Sequence, residues 1–201
     1  SMTYRQSSAS RPDALGRDRD NRLLWRFAPK RLEGEAVRDS LLQAAGMLNT
    51  QQSGPSYEDV KEIHFNAGRY YHPIEVKGPK FDRRTIYRFS PRGERDAILD
   101  TFDCPDPSAT APTRAVTTTP LQALSLSNNV FVWRMADGLA TRVRKEAGEA
   151  LFGQVRRAWL LSLGRDPDET ERSQATAMIA KHGLPSLCRA LFNSSEFVVI
   201  E

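Results

Sequence analysis

Residues 119–143 read TPLQALSLSNNVFVWRMADGLATRV, and this stretch decides the fold class. Thr119 is a type that caps helix N-termini. Pro120 suits the first helical position, where its missing N–H would have no partner anyway. Leu121, Leu124, Phe131, Met135, Leu139 and Val143 then follow one helical stripe, which predicts the longest element of the chain. Asn128 falls on that stripe, so it is either a hydrogen-bonded core amide or the site of a kink.

Helical signals continue to the C-terminus. Leu151, Val155, Ala158 and Trp159 form a second apolar face that ends at Gly164. Asp166-Pro167-Asp168-Glu169 places a capping Asp, a first-turn Pro and an acid three residues on, opening a helix that Gly183 closes. Pro185 opens a further short helix with Leu187, Cys188, Leu191 and Phe192 on one side. The tail Phe197-Val198-Val199-Ile200 is apolar enough to pack on the body.

Upstream the texture changes. Val37, Leu41, Ala44 and Leu48 recur at helical steps after Pro29, giving one more helix. On it, Arg31 and Glu35, and Glu35 and Arg38, stand at spacings that pair on a helix surface. Gly34 weakens this helix unless another backbone comes close or the site is solvent-exposed. Residues 1–22, rich in Ser, Arg and Asp, read as an extended arm. Residues 51–118 carry Gly54-Pro55, Gly78-Pro79, Ser90-Pro91, Pro105, Pro107 and Pro112 and read as a long structured loop draped over helices. Within it Thr85-Ile86-Tyr87-Arg88-Phe89 alternates like a strand without a second convincing strand to pair with. Together these features describe a mostly α chain. It is an irregular helical domain with a long Pro/Arg-rich loop region and at most one or two short strands. One domain spans 1–201, its helical C-terminal part being 119–201.

Composition narrows the classes of function. A hydrophobic fraction of 39% with 27% charged residues fits a water-exposed globule, and no apolar run approaches the ~20 residues of a membrane span. The net charge of +4 comes from residues 1–100, with 18 basic and 14 acidic residues against 11 and 11 afterwards. Of the 29 basic residues 23 are Arg, a type suited to planar pairing with carboxylates, though base composition of the genome would give the same bias. Cys104 and Cys188 are isolated, which argues against a disulfide-dense scaffold and favours free thiols over a single bridge. The start, Ser1 to Ser8, carries no secretory signal segment.

No familiar reaction centre emerges. His64, His72 and His182 lack the spacing of a helical zinc motif, and loop or surface packing accounts for them better than coordination. Asp100, Asp103 and Asp106 stand three apart, but without the glycine and terminal Glu of a calcium loop they read as turn and capping residues. Lys77, Lys80, Arg83, Arg84, Arg88, Arg92 and Arg95 interleave with Phe81, Tyr87 and Phe89. Such a mixture can bind single-stranded nucleic acid, yet Asp82 and Glu94 dilute its field, and ties to acidic helix faces are the favoured role. Nucleophile, phosphate-loop, dinucleotide and haem-attachment signatures do not occur.

Several segments carry a resemblance. Tyr4-Arg5-Gln6-Ser7-Ser8, Asn21-Arg22-Leu23-Leu24-Trp25-Arg26, Arg31-Leu32-Glu33 with Glu35 and Arg38-Asp39, and Thr119-Pro120-Leu121-Gln122-Ala123-Leu124 are similar to the planctomycete-specific domain of unknown function. Arg83-Arg84-Thr85-Ile86-Tyr87, Phe102-Asp103 with Pro105-Asp106, Gly164-Arg165 with Pro167, and Asn193 with Glu196-Phe197 continue the match. The resemblance implies a place near the C-terminus of large exported proteins, hence a periplasmic or extracellular setting. It also implies other domains of the same protein as partners, often a cytochrome-c-like one, with any haem on that neighbour and no cofactor in this fragment. It implies further chain before Tyr4, and so an incomplete N-terminal side.

Three functions stay open at this point. The leading one is a non-catalytic structural or interaction module. Another, implied by the domain company of the family it resembles, is part of an extracytoplasmic enzyme or redox system acting on polysaccharide-like material. Its polar cluster would be drawn from Arg5, Glu35, Arg38, Asp39, Asp103, Arg114 and Gln122, with arginines holding anionic groups. The opposing expectation makes these same groups salt bridges that fix the long loop to the helices. The third is carbohydrate binding on exposed faces of Trp25, Tyr70, Tyr71 and Tyr87, with Trp133 and Trp159 in the core.

Overall fold

A computed structural model describes residues 1–200; Glu201, the last position of the expected helical part, lies outside them. The fold is built around α5 (Val130–Ala147), whose buried Val132, Met135, Ala136, Leu139, Ala140 and Val143 alternate in steps of three and one along a single stripe. Against it lie α2 (Gly34–Ala45), α6 (Leu151–Ser162) and α8 (Leu184–Phe192), with α7 (Glu169–His182) bridging α6 and α8. Val37, Leu41 and Leu42 of α2 meet this stripe with no exposed surface. Truncating a side chain such as Leu41 there would cost about 2–5 kcal/mol, so this seam carries much of the stability.

The backbone termini of these helices are closed by identifiable groups. Gly46 ends α2 in the left-handed conformation (φ 71°). One turn before it, the Gln43 and Ala44 carbonyls accept from Arg142 of α5 at 2.9 and 3.0 Å. A cation at a helix C-terminus meets the negative end of its dipole, so Arg142 caps α2 while joining it to α5. At the other end of α2, a β-carbon on Gly34 would stand 3.1 Å from the Leu99 carbonyl and 3.3 Å from Phe102 Cβ. The glycine is therefore explained by close approach of α3 (Ala97–Thr101), the first of the two accounts open at the sequence level.

The fold class holds, but several elements differ from expectation. The long helix predicted from residue 119 is two helices. α4 (Pro120–Asn128) stops at Asn129, whose side chain accepts from the Phe131 N–H at 2.8 Å and restarts the chain as α5. The break resets the helical phase, leaving Leu121 and Leu124 60% and 56% exposed while Gln122 and Leu126 turn inward. The arm 1–22 contains α1 (Pro12–Arg17), which buries none of its residues. α7 is capped two residues later than predicted: Asp168 accepts from Glu171 N–H and Glu171 accepts from Asp168 N–H, both at 2.8 Å. The apolar tail does pack on the body. Phe197 and Val198 are buried, and β4 (Val199–Ile200) pairs antiparallel with β1 (Lys30–Arg31).

The middle segment holds the largest surprise. Four short strands occur among the described residues rather than one or two, and β2 (Val60–Phe65) and β3 (Gly68–Pro73) form an antiparallel hairpin. Its two-residue turn, Asn66-Ala67, takes positive φ at both positions (46° and 60°), the geometry that matches strand twist in tight hairpins. Residues 85–89, read as strand-like, instead begin with one turn of 3-10 helix over Thr85–Tyr87. Its alternation reflects Thr85 turned into the body and Ile86 left 75% exposed.

Candidate functional site

Six of the seven residues of the expected polar cluster lie where the middle segment meets α2, α3 and α4, in two groups. The first forms at the start of α2. Arg114, on the return from the irregular segment, donates to Glu35 Oε1 at 2.6 Å and Oε2 at 2.9 Å, and to Glu33 Oε2 at 2.8 Å. Beside it Asp103, in the left-handed region (φ 61°), accepts from the Thr117 N–H at 2.8 Å and from its hydroxyl. Gln122 is buried. Its carbonyl oxygen accepts from Arg31 at 2.7 Å and from the Thr119 N–H at 3.1 Å, and its amide donates to the Thr101 carbonyl at 3.0 Å. Every polar end of that side chain is thus spent on holding α3, α4 and β1 together.

The second group lies one turn further along α2. Arg38, 7% exposed, donates to the carbonyls of Arg83 at 3.0 Å and Phe81 at 2.9 Å, and its guanidinium sits over the rings of Tyr57 and Phe131. Asp39 accepts from the Thr85 N–H at 2.8 Å and hydroxyl at 2.7 Å, and from Arg84 at 3.4 Å. Arg5 joins neither group: it is exposed and makes no side-chain hydrogen bond or ion pair among the described residues. The expected pairings of Glu35 with Arg31 and Arg38 along the helix do not form. Arg114 and the loop carbonyls offer better-aligned partners than neighbours on the same helix surface.

Charge follows geometry. The Arg114 guanidinium holds the Glu35 carboxyl below its ordinary range against the opposing effect of burial. Cys104, whose thiol donates to Glu35 Oε1 at 3.6 Å, is pushed up to about 11 by burial and by the adjacent carboxylate. Cys188, on the buried face of α8, is pushed up to about 12, chiefly by burial. Both thiols are free, as favoured from their spacing. Glu35 is therefore an ionised clasp rather than a proton donor, and Cys104 is a protonated thiol rather than a nucleophile. The gap between the parts, lined by Arg31, Glu33, Phe102, Asp103, Arg114 and Val116, measures about 30 Å³, room for one or two waters.

A larger cavity of about 380 Å³ lies at the root of the hairpin. Its walls are Arg38, Asp59, Ile74, Lys77, Phe81, Asp96, Ile98, Val130, Phe131 and Arg134. Arg134 is committed to Asp82 by a two-pronged pair at 3.0 and 2.7 Å, and Asp59 to Arg88 at 2.7 Å. Arg88 also binds Glu94 at 3.0 Å.

Other candidates find quieter roles. Asp100 and Asp106 both receive Arg95, and among the described residues no group of three His, Cys, Asp or Glu side chains is placed to hold a metal ion. In the basic stretch Arg83 is turned onto the carbonyls of Gln51, Ser53 and Pro55, and Phe81, Tyr87 and Phe89 pack internally. Trp25 lies between Arg11 and Arg26, Tyr71 abuts Phe89 and Tyr87 carries Arg83, whereas Tyr70 is 52% exposed. Trp133, expected in the core, is 46% exposed and stacked under Arg189. No described helix is long and apolar enough to cross a membrane. Arg31, Glu33, Thr85 and Thr117 complete the two groups without standing among the seven candidates. Arg31 and Glu33, four and two residues before Glu35, are the ones with a local signal.

This arginine-pinned docking of residues 81–118 onto α2 and α4 coincides with the segments that carry the family pattern. The model of the PSD1 family, protein of unknown function (DUF1553), matches residues 1–179. The chain belongs to this family. No curated protein and no solved structure matches it. For this DUF1553 chain the fold thus comes from its own structure, and the family carries no assigned activity.

Proposed function

We propose that this domain is a non-catalytic structural or interaction module of a larger exported, periplasmic or extracellular, multidomain protein, with other domains of that protein as its partners. The saturation of the polar cluster supports this most directly. Glu35, Asp39, Asp103 and Gln122 each spend their hydrogen-bonding capacity on an arginine, a threonine or a backbone group. General acid–base work needs a side chain free to reach substrate and held near the proton affinity of its task. Arg114 instead fixes Glu35 in the ionised form. A covalent haem would belong to a neighbouring domain: neither protonated thiol lies in a Cys-x-x-Cys-His run, and Cys188 is fully buried. The test is to produce this chain and the rest of the protein separately, measure their association by calorimetry, and assay both for turnover of polysaccharides. A complex with no turnover by this chain is expected. Turnover abolished by Glu35→Gln in a folded variant would overturn the reading.

The hairpin-root cavity favours a second reading, carbohydrate binding without catalysis. At about 380 Å³ it accommodates a sugar ring or two, with Phe81 and Phe131 as apolar walls and Asp59, Asp96 and Lys77 as polar ones. Saturation-transfer signals from oligosaccharides that vanish when Val130→Trp fills the cavity would support it. Signals unaffected by that change would remove it.

A further inference from the structure

The hairpin presents one feature that neither the polar cluster nor the cavity uses. Ile74 N–H donates to the Asp59 carbonyl at 2.9 Å, which makes residues 59 and 74 a hydrogen-bonded pair of the ladder. Alternation along an antiparallel ladder then places Lys61, Ile63 and Phe65 in hydrogen-bonded pairs with β3. It turns the N–H and C=O groups of Glu62 and His64 outward, where among the described residues no other backbone group pairs with them. The same register puts Ile63, Phe65 and Tyr70 on one face, 40%, 63% and 52% exposed, with Lys61 and His72 beside them. The opposite face holds buried Val60 and Tyr71 on Phe89, so it is the side turned to the body.

A two-stranded ribbon with an apolar outer face and a free edge is marginal alone and gains from added strands. We infer that the outer edge of β2 pairs with the same edge of a second copy, giving a four-stranded antiparallel sheet across a two-fold axis. The occupant is argued from self-complementarity. A two-fold axis normal to the sheet through Ile63 sets Ile63 opposite Ile63, Glu62 opposite the second copy's His64 twice, and Lys61 opposite its Phe65 twice. The outward-turned residues Glu62 and His64 are then the hydrogen-bonded pairs, giving four main-chain bonds. A shift that centres the axis on Glu62 would face two carboxylates, which disfavours it. Within one chain Glu62 already lies 3.2 Å from His64 and 3.5 Å from Arg69, so the edge carries both signs in reach of each other.

The surface involved amounts to a few hundred Å² per copy, below the ~800 Å² of stable interfaces, so the pair is weak, with a dissociation constant on the order of 100 μM. It is independent of whether the polar cluster has any activity. Sedimentation velocity between 5 μM and 1 mM, as about the range needed for such an affinity, reads the outcome. The weight-average mass is expected to climb from 22.6 kDa toward twice that value. His64→Pro removes an outward N–H and leaves the internal ladder intact, so it should hold the chain monomeric with unchanged circular dichroism and Tm. Glu62→Lys, which sets Lys against His, should weaken association at least about tenfold. A wild-type mass that stays at 22.6 kDa throughout would overturn the inference, as would association that His64→Pro and Glu62→Lys leave untouched.

Discussion

Replacing Arg114 by Gln would release the clasp at the start of α2. Three charge-assisted hydrogen bonds, at 2.6, 2.8 and 2.9 Å, would be lost from two carboxylates. Such bonds reach ~1.5–3 kcal/mol when dry, but Arg114 and Glu35 side chains are 35% and 30% exposed and Glu33 is 64% exposed. Solvent screening brings the whole clasp to about 1–2 kcal/mol. For a chain of this size that lowers Tm by about 2–8 °C. Scanning calorimetry on both proteins across pH adds a sharper check. The folded Glu35 carboxyl is held below its ordinary value, so its contribution is present above the unfolded pKa of about 4.3 and is lost as pH falls through the folded value. The Tm gap between wild type and Arg114→Gln should therefore be full at neutral pH and shrink below about pH 4. Equal Tm values at neutral pH, or a gap that persists undiminished into strong acid, would refute the account of the clasp.

Two further outcomes follow from deeper groups. Arg134→Met leaves Asp82, 2% exposed, as an unpaired buried carboxylate, and should cost about 3–5 kcal/mol in urea unfolding; a loss under about 1 kcal/mol would mean Asp82 finds water. Both thiols should react slowly with alkylating reagents in the native state and rapidly in denaturant. Native labelling of Cys104 at the rate of a free cysteine would contradict its contact with Glu35.

The helices were readable because their stripes bury surface: Met135, Leu139 and Val143, or Leu187, Cys188, Leu191 and Phe192, repeat at the helical period and are all inside. The hairpin was not, because a ribbon that buries only Val60 along β2 leaves no alternation of apolar and polar residues to read. Nor does Asn66-Ala67 match the Asn-Gly type of turn signal. The break at Asn129 was hidden since Leu121 and Leu124 keep the phase of the next helix while facing water. Six of the seven cluster residues, Glu35, Arg38, Asp39, Asp103, Arg114 and Gln122, fall within two neighbourhoods. Apart from the local bond of Gln122 to Thr119, the partners that tie them to other elements stand 14 to 91 residues away, beyond any local spacing rule. The shift of the α7 cap came from two equally good aspartates, each with a Glu three residues on; Asp166 accepts from Arg156 at 2.7 Å, and Asp168 exchanges the capping bonds with Glu171.

Arg38 reaches two carbonyls and Arg83 three, in residues 81–83 and 51–55, which lie outside the β2–β3 ladder. A planar fork of five donors can serve as a substitute strand, tying down irregular backbone from the side instead of along an edge. An ammonium group, with its donors gathered at one point, could not bridge the same acceptors. The surplus of arginine over lysine thus acquires a use in this chain: it lets the irregular stretches on either side of the hairpin keep a defined path, and it makes Arg→Lys at these two positions a disruptive exchange.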